Sequence, residues 1–158
     1  MPGRHELFDP KRAEMPSDLG LRIIAGAVVP VNENVILIAE DDPVVRNLVR
    51  AMLAQEGYAT LAAKDGEEAL KICETFKHPV HLLLTDISMP SMDGYQLAAC
   101  VRALRPEIKV ITMSGETIDS IRVGNIPSCS LHKPFVPQTL LNCVKMVLAS
   151  TGPVNCDG

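Results

Sequence analysis

Residues 82–94 read LLLTDISMPSMDG. Leu82, Leu83, Leu84 and Thr85 form an apolar run without alternation, as in a strand covered on both faces. The run ends on Asp86. Met89, Pro90, Ser91, Met92, Asp93 and Gly94 follow, and Pro, Ser, Asp and Gly in such density turn the chain. A strand buried on both sides needs helices on both sides, so the rest of the chain should alternate strand with helix.

It does so in both directions. Upstream, Val35–Ala39 (VILIA) is a second continuous apolar run. Pro43 suits the first turn of a helix, and Val45, Leu48, Val49, Met52 and Leu53 share one helical face until Gly57 stops it. Tyr58–Ala63 reads as a strand, Asp65-Gly66 as a turn and Glu67–Phe76 as a helix. The opening stretch supplies a strand over Val80–Thr85. Downstream come a helix over Gly94–Leu104, a strand over Lys109–Met113, a short strand over Cys129–His132 and a closing helix over Val136–Ala149. Strands separated by helices give a doubly wound five-stranded parallel α/β sheet with right-handed crossovers.

In such sheets, sites form beyond the C-terminal strand ends. Glu40, Asp41 and Asp42 follow the first strand, Asp86 ends the third, Ser114 the fourth and Lys133 the fifth. Carboxylates brought together repel one another and persist beside positive charge. Oxygen donors of this kind suit Mg²⁺. Asp86 beside a divalent cation, the Lys133 ammonium and the Ser114 hydroxyl has the parts for phosphoryl transfer to a carboxylate. Each residue alone is weak evidence, since strand-end Asp, Ser-Gly and Lys-Pro usually make caps and turns. The ordered set is far more specific.

From Asn34 to Ala149, the segments ILIAEDDPVVR, LLLTDISMPSMDG, VITMSG and LHKPF resemble a response-regulator receiver domain, the phospho-accepting module of two-component signalling. The resemblance implies a flavodoxin-like fold with Asp86 as phosphoacceptor. It implies Glu40, Asp41, Asp86 and the backbone carbonyl of Ser88 as Mg²⁺ ligands, with Asp42 helping through water. Ser114 corresponds to the hydroxyl that bonds the phosphoryl group, Lys133 to its cationic partner, and Pro134 to the proline after a cis peptide bond. Arg46 matches a basic position of the family. A sensor histidine kinase or a histidine phosphotransfer protein is the implied donor, meeting the exposed side of the first helix, and an output protein is the implied receiver of the signal. Two departures stand out. Ser130 occupies a position where the family often carries Phe or Tyr, and residues 115–132 leave room only for a short fourth helix, near Thr117–Val123. A haloacid-dehalogenase-like phosphatase would need an acidic residue at the Ser88 position. A receiver-like interaction module that is never phosphorylated is the other alternative, and the retained acidic, hydroxyl and lysine residues argue against it.

Bulk properties agree. The chain has 158 residues, 47% hydrophobic and 22% charged, with a net charge of −4. That is enough for one core and wrong for a nucleic-acid arm or polybasic membrane anchor. Trp is absent, so an aromatic stacking platform is missing. No run is long enough to span a bilayer. The expectation is a cytoplasmic, non-enzymatic, stand-alone receiver over 33–150, after a flexible extension over 1–32 and before a disordered tail over 151–158. Residues 21–31 could add a strand or short helix. The five cysteines lack CxxC spacing and read as small apolar fillers of a reducing compartment, and His78, His81 and His132 as structural or surface groups.

Overall fold

The computed structural model describes residues 21–24, 27–30, 33–115 and 128–150. The 1–20 extension, the tail and the expected short fourth helix lie outside them. Within 21–31, residues 21–24 and 27–30 take the extended option. Strands β1 (Leu21–Ile24) and β2 (Ala27–Pro30) pair antiparallel, with Leu21 opposite Pro30 and Ile24 opposite Ala27.

The main sheet is the expected one. In chain order its elements are β3 (Val35–Ala39), α1 (Pro43–Gln55), β4 (Ala59–Ala63), α2 (Gly66–Thr75), β5 (Leu82–Asp86), α3 (Gly94–Leu104), β6 (Lys109–Ser114), β7 (Ser128–His132) and α4 (Pro137–Ala149). The spatial order is β4-β3-β5-β6-β7, all parallel. The chain steps outward from β3 to β4, then crosses back to β5. Between β3 and β5 lies the switch point where such sheets hold their ligands.

Side-chain alternation along each strand sorts two cores. Ile36, Ile38, Leu82, Leu84, Ile111 and Met113 face α1 and α4, where they meet Val49, Leu53, Leu140 and Val144. Leu37, Leu83 and Val110 face α2 and α3 and meet Ala69, Cys73, Leu97 and Val101. Every residue of β5 is buried, as its unbroken apolar run requires.

The helix ends follow their local chemistry. Asp42, Asp65 and Asp93 each turn a carboxylate onto a backbone N–H at the start of α1, α2 and α3, and Asp93 with Gln96 completes a capping box. Gly57 ends α1 at φ 87°, its N–H donating to Ala54 O while Tyr58 N–H donates to Leu53 O. That is the Schellman arrangement, which needs the left-handed residue that glycine supplies. Arg105 clamps the far end of α2, its guanidinium donating to the carbonyls of Cys73, Phe76 and His78. Lys109 does the same for α4 through Val147, Leu148 and Ser150.

Two of the cysteines depart from the filler reading. β7 and α4 lie side by side, and Cys129 and Cys143, with Cα atoms 7.0 Å apart, are joined as a disulfide. The two cysteines stand 14 residues apart on successive elements, and it is the packing of α4 against β7 that brings them together, which spacing along the chain does not reveal. Cys73 and Cys100 are free thiols, and burial pushes Cys73 up to about 11.

His81 ties the start of β3 to the start of β5. The Val35 N–H donates to His81 Nδ1 at 2.9 Å, while His81 N–H donates to Val35 O. The first bond needs a bare Nδ1, so the ring must be neutral. Burial holds its pKa below 6.5, with Glu33 pulling the other way. The unfolded chain therefore takes up this proton first, and the group's contribution is lost as pH falls from about 6.5 through the folded value. Thermal melts between pH 7.5 and 5 should show His81→Asn, whose amide oxygen can accept the same bond without titrating, with a flatter acid slope than the wild type. Parallel slopes would remove His81 from the pH response.

Candidate functional site

The residues singled out at the strand ends converge beyond β3, β5, β6 and β7. Glu40, Asp41 and Asp86 each place a carboxylate oxygen within 4.8 Å of the others. Glu40 is 1% exposed and Asp86 6%, whereas Asp41 faces solvent. Lys133 reaches both buried members, its Nζ 2.7 Å from Glu40 Oε2 and 3.4 Å from Asp86 Oδ1.

The backbone fixes each of them. Glu40 N–H donates to Ala63 O on β4, and the Arg46 guanidinium donates to Glu40 O at 2.9 Å. Asp42 N–H donates to Glu40 Oε1 at 3.2 Å, while the Asp42 carboxylate accepts from Val44 N–H and caps α1. Asp42 is thus committed to the helix, and Asp41 is the second acidic member of the cluster. Ser88, expected to offer its carbonyl, also turns its backbone N–H to the Asp86 carboxylate. Ser114 is buried at the end of β6, its carbonyl accepting from Lys133 N–H at 2.7 Å. The Lys133–Pro134 bond is cis, as the resemblance implied.

Burial dominates the electrostatics. It pushes the Glu40 and Asp86 carboxyls above their usual values; Lys133 opposes this, and repulsion from Asp86 on Glu40 and from Asp41 on Asp86 adds to it. Burial pulls the Lys133 ammonium down, but Glu40 and Asp86 outweigh it and hold it above the usual lysine value. Three carboxylates against one ammonium leave the cluster short of positive charge, with oxygen donors only. A hard divalent cation such as Mg²⁺ fits that deficit and that donor set.

The model of the response regulator receiver domain matches residues 36–145. The chain belongs to the response regulator receiver family. This receiver is 33% identical over 132 residues to the transcriptional regulatory protein AruR of Pseudomonas aeruginosa, covering 75% of this chain and 53% of that protein. It is 36% identical over 118 residues to the sensor kinase CckA of Brucella abortus, covering 72% of this chain and 12% of the kinase. So it spans about half of the first relative and a small part of the second. Among solved structures, the response regulator protein TrrA of Thermotoga maritima, in complex with Mg(2+)-BeF, superposes with a TM-score of 0.64 at 28% identity, covering 72% of this chain and 98% of that one.

The receiver keeps one departure that its sequence announces. Ser130, at the position where an aromatic side chain is common, faces Thr112 across the β6–β7 ladder with their hydroxyl oxygens 3.0 Å apart. Two contributors to the site escaped the sequence reading. Arg46 matches a basic position, but its grip on the Glu40 carbonyl was not foreseen. Thr85 is fully buried and donates its hydroxyl to the Asp86 carbonyl at 2.9 Å. A lone hydroxyl inside a leucine run was the available signal, since such a group must find an acceptor there.

Among the described residues, no helix is long and apolar enough to cross a membrane.

Proposed function

We propose that Asp86 accepts a phosphoryl group from a phosphohistidine of a sensor histidine kinase or a histidine phosphotransfer protein. The convergence of Glu40, Asp41 and Asp86 within 4.8 Å, with Lys133 bridging two of them, carries this reading. Glu40, Asp41, Asp86 and the Ser88 carbonyl would hold Mg²⁺, which supplies charge neutralisation for the transferring group. An Asp86 carboxylate oxygen attacks phosphorus in line, the new O–P bond forms, and the N–P bond to imidazole breaks with its electron pair leaving on the donor nitrogen. Lys133 pairs with a phosphoryl oxygen and Ser114 donates its hydroxyl to another. Asp86 is consumed in each round, so the protein is a stoichiometric acceptor that loses phosphate slowly to water and not a turnover enzyme.

The surface around the pocket suits such a donor. Val44 and Leu48 on α1 are 73% and 53% exposed, and Val136 stands exposed beyond the Lys133–Pro134 turn. These apolar side chains beside the acidic cluster offer a seat for a helix carrying the phosphohistidine. The phosphorylated domain would then act in the cytoplasm through altered contacts with an output protein.

The experiment is intact-mass spectrometry after incubation with acetyl phosphate. The expected result is a gain of one phosphoryl group with Mg²⁺ and none with EDTA. No gain in either arm, with the protein folded, would leave a receiver-like interaction module.

A further inference from the structure

The geometry points to Thr85 and Gly94 as positioning residues that fix the peptide linking Asp86 to Ile87 and thereby aim the Asp86 carboxylate. This rests on the phosphoacceptor reading of Asp86.

Every polar atom of that stretch is held. The Asp86 carbonyl accepts the Thr85 hydroxyl at 2.9 Å, and the Ile87 N–H donates to Met113 O on β6 at 2.9 Å. The Ile87 carbonyl accepts from Gly94 N–H at 2.9 Å. Gly94, at the first turn of α3, closes the cradle by lying directly on this peptide. A Cβ there would stand 2.9 Å from Ile87 Cα and closer still to the Asp86 carbonyl oxygen. Both are backbone atoms and cannot swing aside. Glycine is needed here for space, because among the described residues only Gly57 combines glycine with a positive φ. Asp93 and Gln96 anchor this end of α3 with their capping box, so the helix does not simply drift away.

The consequence concerns aim. Asp86 lies at the very end of β5, and its side chain inherits the tilt of the peptide that follows it. Ser88, whose N–H reaches the Asp86 carboxylate, hangs from the same turn. Turning the Asp86–Ile87 peptide moves the nucleophilic oxygen and its backbone donor together. In-line attack tolerates little misplacement, with about a hundredfold in rate lost for roughly 1 Å.

Thr85→Val keeps shape and removes the hydroxyl, Thr85→Ser restores it, and Gly94→Ala adds the obstructing methyl. Phosphoryl uptake from acetyl phosphate is followed by intact mass, separating the saturating rate from the acetyl phosphate concentration at half rate. Mg²⁺ binding and melting temperature are measured alongside. Thr85→Val should lose about tenfold and Gly94→Ala up to about a hundredfold in saturating rate. The half-rate concentration should hardly move, and Thr85→Ser should recover most of the rate. Wild-type rates in folded Thr85→Val overturn the assignment, as does a loss that Thr85→Ser fails to recover. If Gly94→Ala does not fold, the threonine pair decides. A wild-type protein that gains no phosphoryl group defeats the underlying reading instead, and the two failures are distinct.

Discussion

Asp86→Asn should gain no phosphoryl group from acetyl phosphate and Mg²⁺, and in metal-free buffer at neutral pH it should melt above the wild type. The first half follows from chemistry: the amide has no anionic oxygen to attack phosphorus. The second half follows from burial. Asp86 is nearly closed off from water and shares its pocket with Glu40 and Asp41, and burial, opposed by Lys133 and helped a little by repulsion from Asp41, holds its pKa above the ordinary aspartate value. A raised carboxyl pKa means that the fold prefers the neutral form. Stability is then fully present below the unfolded value, near 3.8, and is lost as pH rises through the folded one. At pH 7 the charged group therefore weakens the fold, and Asn recovers that loss. Lys133 keeps Glu40 as partner at 2.7 Å, so the exchange does not orphan it. Added Mg²⁺ should raise the wild-type melting temperature more than that of the variant, because the variant has lost one anionic ligand. An adduct of equal size in Asp86→Asn would move the acceptor elsewhere, and a lower metal-free melting temperature would contradict the electrostatic argument.

The sheet could be read from the chain because its evidence is local. VILIA and LLLTD can only be buried on both faces, and the helices between strands repeat their apolar residues every three or four positions. The strand ends then named Glu40, Asp41, Asp86, Ser114 and Lys133, since topology gathers such ends whatever lies between them. What escaped depends on distances between groups remote in sequence. The Cys129–Cys143 pair, the His81 bond to Val35 and the Arg105 clamp on α2 each join elements whose relative placement no spacing rule encodes. Asp42, given only a role through water on the sequence while Asp41 was named as the ligand, turns its carboxylate to Val44 N–H as the cap of α1. Short-range backbone donors claim such a carboxylate because ordering it costs little further entropy.

Lys133→Ala should lower stability by roughly 2–3 kcal/mol at neutral pH without metal, and the loss should shrink from two directions. Glu40 is the reason. Its carboxylate is 1% exposed and has the Lys133 ammonium at 2.7 Å, with Asp42 N–H at 3.2 Å as its other donor. Removing the lysine leaves a buried anion beside Asp86 with one weak backbone bond. Lowering the pH relieves it first. Burial already raises the Glu40 pKa, and without the ammonium it rises further, so the carboxyl is neutralised at milder acidity. Raising the pH erodes the difference from the other side. The folded pKa of Lys133 lies above 10.5, so the pair's contribution is complete below that value and fades as pH climbs through the folded one. The melting curves of wild type and variant should therefore be furthest apart between these limits. On the proposed mechanism Mg²⁺ would replace the missing charge, so millimolar metal should restore much of the lost stability, while phosphoryl uptake should stay slow for want of the ammonium proposed to pair with the transferring group. A variant that melts like the wild type across this range, or that phosphorylates at the wild-type rate once Mg²⁺ is present, would take Lys133 out of the site's working parts.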